Sequence, residues 1–461
     1  VDDLAASMVD AQGAAPGRVP AGYTYLAQFI IHDLTWLSPK GEKEQNKASA
    51  MLDMDSVLGN RFADPEPGCP GSVDALRVGL TLAGYGTDEL PLPDDVPRKE
   101  ADSFPTGSPL IPDTRNEAFL QLAQMHVAFL KFYNAVARKN GFGGDGFDED
   151  AAKQNFRQHV QSVVLYDLLE RLTDPVVYED VVTGNRRRII HPDRVTDQNP
   201  FVIPIEFAAA AARFGHTMVR ESYEWNATHH EGRPADLITL VTLSHQNSYP
   251  GDARLLHLPR DWVIDWQRFF DFSPLLGATA RTPVGANLIS PRVAQTMGSL
   301  PEHLRVTPSG KKVPDDRATF NIARETLRRQ LDFMMASAQT AIDCINCCMP
   351  EELSIEKLTP DELAGEESRT STVFGRHPEL AGMTPIWFYV LREAELKGGG
   401  ERLGPFGSRL VAETIHAAIE ATGKDSLTAN SHWTPCLPFR EKNFKMTDLI
   451  AYAFGLASAP A

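Results

Sequence analysis

Cysteine is scarce. The 461 residues carry five (Cys69, Cys344, Cys347, Cys348, Cys436), an odd number at uneven spacing. A secreted disulfide framework is not expected, and a reducing, cytoplasmic setting is. Cys344, Cys347 and Cys348 bring zinc to mind, but no second pair completes four ligands, so buried helical thiols are expected there. No run of about 18 apolar residues spans a bilayer. The alanine-rich stretch 207–212 ends at Arg213. The chain opens at Val1 with no basic region ahead of an apolar one; a removed leader stays an open alternative to the cytoplasm. Basic charge is short as well: 45 Lys plus Arg against 61 Asp plus Glu gives a net charge of −16, which argues against nucleic acid or an anionic membrane as partner. The one compact basic run, Arg186-Arg187-Arg188, lies in a predicted hairpin (177–180, turn 183–185, 187–190) and reads as a solvated strand face. Repeats and low-complexity tracts are missing.

What is present is ordinary globular composition, 42% hydrophobic and 23% charged, with strong helical periodicity. Apolar residues recur at three- and four-residue steps over 119–138 and 152–172, and further helices are predicted at 204–221, 316–347, 385–397, 406–421 and 446–454. Residues 39–112 read as loops, broken by Pro65, Pro67, Pro70, Pro91, Pro93, Pro97, Pro105 and Pro109. A long irregular stretch of this kind is usually functional or held by something. With no linker between separate cores, the expectation is a mainly α fold, one large helical domain over 1–461 with minor β-hairpins and long loops.

Four short segments could carry chemistry. In AQFIIHDLTW (27–36), Gln28 and His32 share a helical face while Asp33 is turned about 100° from His32, so the adjacent polar residues serve different sites. Taken alone, His32 reads more simply as a core histidine with a hydrogen-bonded neighbour. In ARFGHTMV (212–219), Arg213 and His216 share a face, and Gly215 removes a side chain that would keep a flat ligand from the backbone. An imidazole that ligates iron beside a guanidinium that holds a carboxylate, or a buried structural histidine, both suit that pattern. DTRNE (113–117) puts Arg115 at the mouth of a helix, where a surface ion pair is the simpler reading. NIAR (321–324) places Asn321 and Arg324 three apart, as a site pair or as a cap.

In order and wording these segments resemble the animal haem peroxidase (peroxidase-cyclooxygenase) superfamily, most closely its bacterial branch. The resemblance runs through 23–36 (YTYLAQFIIHDLTW), 52–59 (LDMDSVLG), 113–115, 124–134, 213–219, 384–403 (TPIWFYVLREAELKGGGERL) and 404–413, nearly the whole chain. It implies a haem enzyme that uses hydrogen peroxide to oxidise a small organic donor. His216 would be the proximal ligand of the haem iron, Asn321 the residue that hydrogen-bonds that imidazole, and Arg213 and Arg324 the partners of the haem propionates. On the opposite face His32 would move the peroxide proton, Arg115 would stabilise developing charge, and Gln28 would hold water or a halide. Asp33 matches a calcium ligand, and Ser49, the Met51 carbonyl, Asp53 and Asp55 supply the alternating oxygens that a hard cation needs.

The chain departs from the family where relatives bond haem covalently. Ile31 and Ala118 stand where ester-forming carboxylates would be, Glu117 lies one place early, and Phe119 replaces a sulfonium-forming methionine. Non-covalent haem b is therefore expected, with organic one-electron donors rather than halides as reductants. Arg213 occupies the place of the radical tyrosine of the superfamily's fatty-acid dioxygenases, which disfavours that chemistry, although Tyr23, Tyr25 and Tyr166 offer other radical sites. Two alternatives remain: a haem oxygenase or biosynthetic oxidase acting on one dedicated substrate, and a haem-free helical scaffold.

Overall fold

The computed structural model describes residues 1–461 except 11–14, 38–47, 60–63, 69–73, 84–88, 100–106, 192–199, 244–256, 302–318, 366–368, 430–432, 440–441 and 457–461. Cys69, much of the Pro-rich stretch and the start of the helix predicted from 316 lie outside the described residues. Among those described, the α-helices of seven residues or more are α1 (Asp2–Met8), α2 (Gly22–Leu34), α3 (Leu120–Lys139), α4 (Glu149–Val163), α5 (Ile322–Asp332), α6 (Ala338–Asn346), α7 (Arg369–Arg376), α8 (Ile386–Lys397), α9 (Pro405–Glu420) and α10 (Met446–Phe454). Strands are short and pair only in twos; Val9–Asp10 with Val293–Ala294 and Pro16–Pro20 with Gly285–Asn287 join distant segments rather than forming hairpins. The mainly α expectation holds.

One continuous apolar cluster reaches from Leu4 to Ile450. At its centre, α2 and α3 are buried on nearly every side, which is why their sequences are apolar round most of the helix rather than along one stripe. The start of α2 is pressed against residues 269–270. The Gly22 amide donates to the Phe269 carbonyl at 2.9 Å, and a Cβ at position 22 would lie 2.4 Å from the Phe270 ring. Only glycine permits that approach. Helices α8 and α9 are locked by Glu393, whose carboxylate accepts from the first-turn amides of Phe406 and Gly407 of α9, both at 3.0 Å.

Several predicted elements take other forms. The helix predicted over 152–172 is α4 followed by a π-helical turn, Val164–Leu169. The one over 204–221 is a π-helical turn, Glu206–Ala210, that runs into a 3-10 helix, Ala211–Thr217. The segment 316–347 divides into α5 and α6, because Ser337 caps a new helix by accepting from the Thr340 amide and the Gln330 side chain binds the Met335 and Ala336 carbonyls of the break.

The predicted hairpin does not form: its first strand and turn are helical through Thr183, and 184–190 is irregular. Asp174 accepts from the Val176 and Val177 amides ahead of Pro175 at the first helical position, a start signal that outweighs the β-branched run. Arg186-Arg187-Arg188 is accordingly no strand face. Arg186 and Arg188 close on Asp180 at 2.8 and 2.9 Å, and Arg187 is buried against Glu420. Arg409 reaches Asp180 and Glu413 from α9. The cysteine expectation is corrected too: Cys344, Cys347 and Cys348 are exposed, because α6 turns Ile342 and Ile345 inward instead.

Candidate functional site

On α2 the residues that are not fully buried are Gln28, Ile31 and His32. Spaced three and four apart, they form one partly exposed stripe on an otherwise enclosed helix. The His32 ring is fixed by Asn116, whose Oδ1 lies 2.9 Å from Nδ1. An amide oxygen only accepts, so Nδ1 carries the proton and Nε2 keeps its lone pair. Burial, then the adjacent Arg115 cation, pushes the imidazole down to about 4. His32 is a neutral base at physiological pH.

Arg115 is held more firmly than a surface ion pair would be. Nε donates to Asp113 at 3.0 Å, Nη2 to Asp113 and to the His32 carbonyl at 2.6 and 2.7 Å, and Nη1 to the Thr35 carbonyl at 2.6 Å. Its guanidinium also lies 4.4 Å from the centre of the Trp36 ring. Most of its N–H groups are thus spent on fixing the end of α2, and it acts on His32 chiefly through charge. Glu117 is buried and paired with Arg98 at 2.9 Å, so the carboxylate one place early is already committed.

The opposing wall is the 3-10 helix Ala211–Thr217. At three residues per turn, Arg213 and His216 stand one above the other, closer in register than an α-helix would place them. No heavy atom lies within 4 Å of the place where a Gly215 Cβ would be, so the backbone is open beside His216. Trp387 of α8 braces this turn, donating Nε1–H to the Arg213 carbonyl at 3.0 Å with its ring edge-on to His216 at 6.2 Å. The Thr326 hydroxyl donates to the Ile322 carbonyl at 2.8 Å, so its oxygen accepts from His216 Nδ1 at 3.3 Å. That leaves the His216 Nε2 lone pair free, and burial pushes the imidazole down to about 3.

Two residues expected beside His216 do other work. Asn321 is the N-cap of α5, its Oδ1 accepting from the Ala323 and Arg324 amides at 2.8 and 3.0 Å; the bond assigned to it is made by Thr326, one turn further on. Arg324 points to the surface and pairs with Asp2 at 3.0 Å. The cation of α5 that acts on Arg213 and His216 is the half-buried Arg329, which sequence reasoning missed although it lies on the Thr326 side of the helix, three residues on. Among the described residues Arg213 has no acidic partner, and its Nε is buried without one. Burial, then repulsion from Arg329 and Arg115, holds its guanidinium well below the usual arginine range.

These features test the residues against haem. His32 lies near enough to depress the protonation of His216, both imidazoles are neutral and keep their Nε2 lone pairs, and Arg213, whose Nε is buried without a partner among the described residues, stands beside them. A buried cation without an anion is costly, and a ligand carboxylate would remove the cost. The residues fit an iron porphyrin with propionates.

Behind α2 the predicted acidic loop is in place. Asp33 accepts from the Met54 and Ser56 amides at 2.9 and 3.0 Å, and the Ser49 hydroxyl reaches the Met51 carbonyl at 3.1 Å and Asp53 Oδ1 at 3.3 Å. Ala50 and Met54 both sit at φ +60, a left-handed conformation that non-glycine residues rarely take. Asp33, Asp53 and Asp55 are all buried. Burial first, then the neighbouring carboxylate, raises Asp33 well above its ordinary range, and burial raises Asp53. Among the described residues, however, no three Asp, Glu, His or Cys side chains close into a ready-made metal shell.

No protein-family model matches this sequence, and no curated protein does. Solved structures match in shape. Peroxidase A from Dictyostelium discoideum is 14% identical with a TM-score of 0.58, covering 91% of this chain and 82% of that one. The fatty acid alpha-dioxygenase of Oryza sativa is 10% identical at a TM-score of 0.58, covering 98% and 78%. That of Arabidopsis thaliana is 11% identical at 0.56, covering 98% and 74%. At such identities the likeness establishes the fold, which is the all-helical peroxidase-cyclooxygenase fold that the sequence resembles.

Proposed function

We propose that this chain, built on the peroxidase-cyclooxygenase fold, is a haem-dependent oxidoreductase and acts as a peroxidase on a small organic donor. The observation that carries the reading is His32 and His216, within electrostatic reach of each other and each with Nε2 free, beside Arg213, whose buried Nε has no partner among the described residues. His216 would hold the iron, with Thr326 fixing its tautomer, and Arg213 and Arg329 would take the propionates. Bound haem supplies a redox-active iron that accepts oxidising equivalents from peroxide. The chain's own part is acid–base and electrostatic. His32 Nε2 takes the proton of hydrogen peroxide and returns it to the departing oxygen, Asn116 keeps the ring in the needed tautomer, and the Arg115 charge favours the anionic peroxide. Gln28, on the same open stripe, would hold a water there. With Ile31 and Ala118 unable to form esters and Glu117 tied to Arg98, the haem would be b-type and non-covalent.

The test is peroxide-dependent oxidation of guaiacol by the haemin-loaded protein, with oxygen uptake recorded separately. Turnover that requires peroxide supports the peroxidase. A second reading, an oxygenase for one apolar substrate, draws on the apolar lining that Ile30 and Ile31 of α2 make with Phe207, Ala212 and Phe214. Oxygen uptake on adding an apolar compound, without guaiacol turnover, favours that reading instead. Among the described residues no helix is long and apolar enough to cross a membrane.

The pH dependence follows from His32. Its imidazole is held at about 4, below the ordinary 6.5, so the neutral base persists to lower pH than a free histidine would. The rate of reaction with peroxide is expected to be level from pH 8 to about 5 and to fall on an acid limb near 4. Stopped-flow absorbance checks it; a limb near 6.5 would contradict the assignment.

Calcium is proposed at the acidic loop, held by Ser49, the Met51 carbonyl, Asp53 and Asp55 with Asp33 anchoring the loop. The raised Asp33 and Asp53 give the sign. Without metal, their contribution to stability is lost as pH rises through their raised folded-state values, because the carboxylates must then charge in a buried cluster. A cation reverses this. Saturating calcium at pH 7.5 is expected to raise Tm by about 3–5 °C, measured by thermal melting against EDTA. An unchanged Tm would dismiss the site.

A further inference from the structure

A cavity of about 370 Å³ opens on the far side of the wall made by the π-helical turn Val164–Leu169 and α9, away from His32 and His216. One face of that wall lines the apolar gap beside α2 through Leu168, Leu169 and Ile415; the other lines this cavity through Leu165, Tyr166 and His416. Its size is that of a small-molecule site. π-helical turns often mark functional positions, because the extra residue re-aims the side chains around it.

Its lining is chemically selective. In a chain of net charge −16 its lining among the described residues contains no aspartate or glutamate, and Lys442, at an exposed position, is the one formal charge among them. Two of the residues that line it carry a buried ring nitrogen without a partner among the described residues: Trp433 Nε1 and Nδ1 of His416, a residue only 1% exposed. Burial pushes the His416 imidazole down to about 4, so it stays neutral and needs a hydrogen-bond partner rather than a counter-ion. Trp433 is not adrift. His159 packs edge-on against it with ring centres 5.2 Å apart, and Phe444 packs in turn on His159 at 4.7 Å. An indole N–H held in a fixed direction with nothing to receive it is a binding feature awaiting an acceptor.

We propose that this cavity binds an aromatic carboxylate, its ring between the aromatic walls and its carboxylate received by Trp433 Nε1 and Lys442, with His416 Nδ1 left for a ring hydroxyl. The site is separate from the haem-facing residues, and its occupancy does not depend on the peroxidase reading.

The test is isothermal titration of the protein as purified, with and without added haemin, using 6-hydroxy-2-naphthoate and its methyl ester as probes. One equivalent of the acid is expected to bind in both states. Trp433→Phe, which keeps the ring and removes the N–H, should weaken binding about 10-fold. Lys442→Gln, at an exposed position, should weaken it about 3-fold, and the neutral ester should bind about 3- to 10-fold more weakly than the acid. Unchanged melting temperatures of both variants separate loss of contact from loss of fold. Absence of saturable heat, binding unaffected by Trp433→Phe, or equal affinity for acid and ester would each overturn the proposal. Failure of haemin to bind bears on the peroxidase reading alone.

Discussion

Replacing His32 by alanine is expected to slow the reaction of the haem-loaded protein with hydrogen peroxide by about 10²- to 10⁴-fold, the range that a positioned acid–base group contributes. Peroxide at neutral pH is almost wholly protonated, so its proton must leave as it binds and return to the outer oxygen as the O–O bond breaks. His32 is the neutral imidazole on the open stripe of α2, with Nδ1 pinned to Asn116 and Nε2 available. Arg115 cannot substitute for it. Its N–H groups are largely spent on Asp113 and on the His32 and Thr35 carbonyls, and a guanidinium does not act as a base. Stopped-flow mixing of His32→Ala with peroxide, followed at the Soret band, gives the rate directly. A variant as fast as the parent would remove His32 from the chemistry. Asn116→Leu should fall between the two, since the imidazole remains but its tautomer is released.

The second large effect is expected at the opposite wall. His216→Ala removes the nitrogen proposed to hold iron, while Arg213 and Arg329 keep their attraction for the propionates. Haem affinity should drop well beyond the roughly 10- to 100-fold typical of losing an outer partner of a metal ligand, so that haemin is stripped on desalting. Millimolar imidazole, diffusing into the vacated space beside Gly215, should restore part of the Soret band. His32→Ala should retain haem as the parent does, which separates the two imidazoles by role. Thr326→Val should keep haem while shifting its spectrum, because the hydrogen bond that orients the His216 ring is lost.

Periodicity and order of segments made the helical fold readable, but not where helices change pitch. Hydrophobic spacing does not distinguish α from 3-10 or π geometry over a single turn, so the region 204–221 read as one helix, although its 3-10 form is what stacks Arg213 over His216. The hairpin at 177–190 was misread because β-branched residues were weighed above the Asp174-Pro175 start. The placement of Gln28 with His32 on one face, and of Arg213 with His216 on another, was legible because position along one element decides it. Asn321 and Arg324 were not, since a cap or surface pair uses the same residue types at the same spacing. Thr326 and Arg329 lie on the same helix, more than one and more than two turns beyond the Asn321 cap. Which turn of α5 meets His216 is set by packing against α8, and only the three-dimensional structure settles it.

The absorption spectrum of the parent protein, taken after loading with haemin and desalting and followed by acid-solvent extraction, tests the central claim most directly. The account predicts one haem per chain, a Soret band that changes on adding peroxide, and pigment that passes wholly into the organic phase. Haemin that elutes with the small molecules and leaves a colourless protein would contradict it.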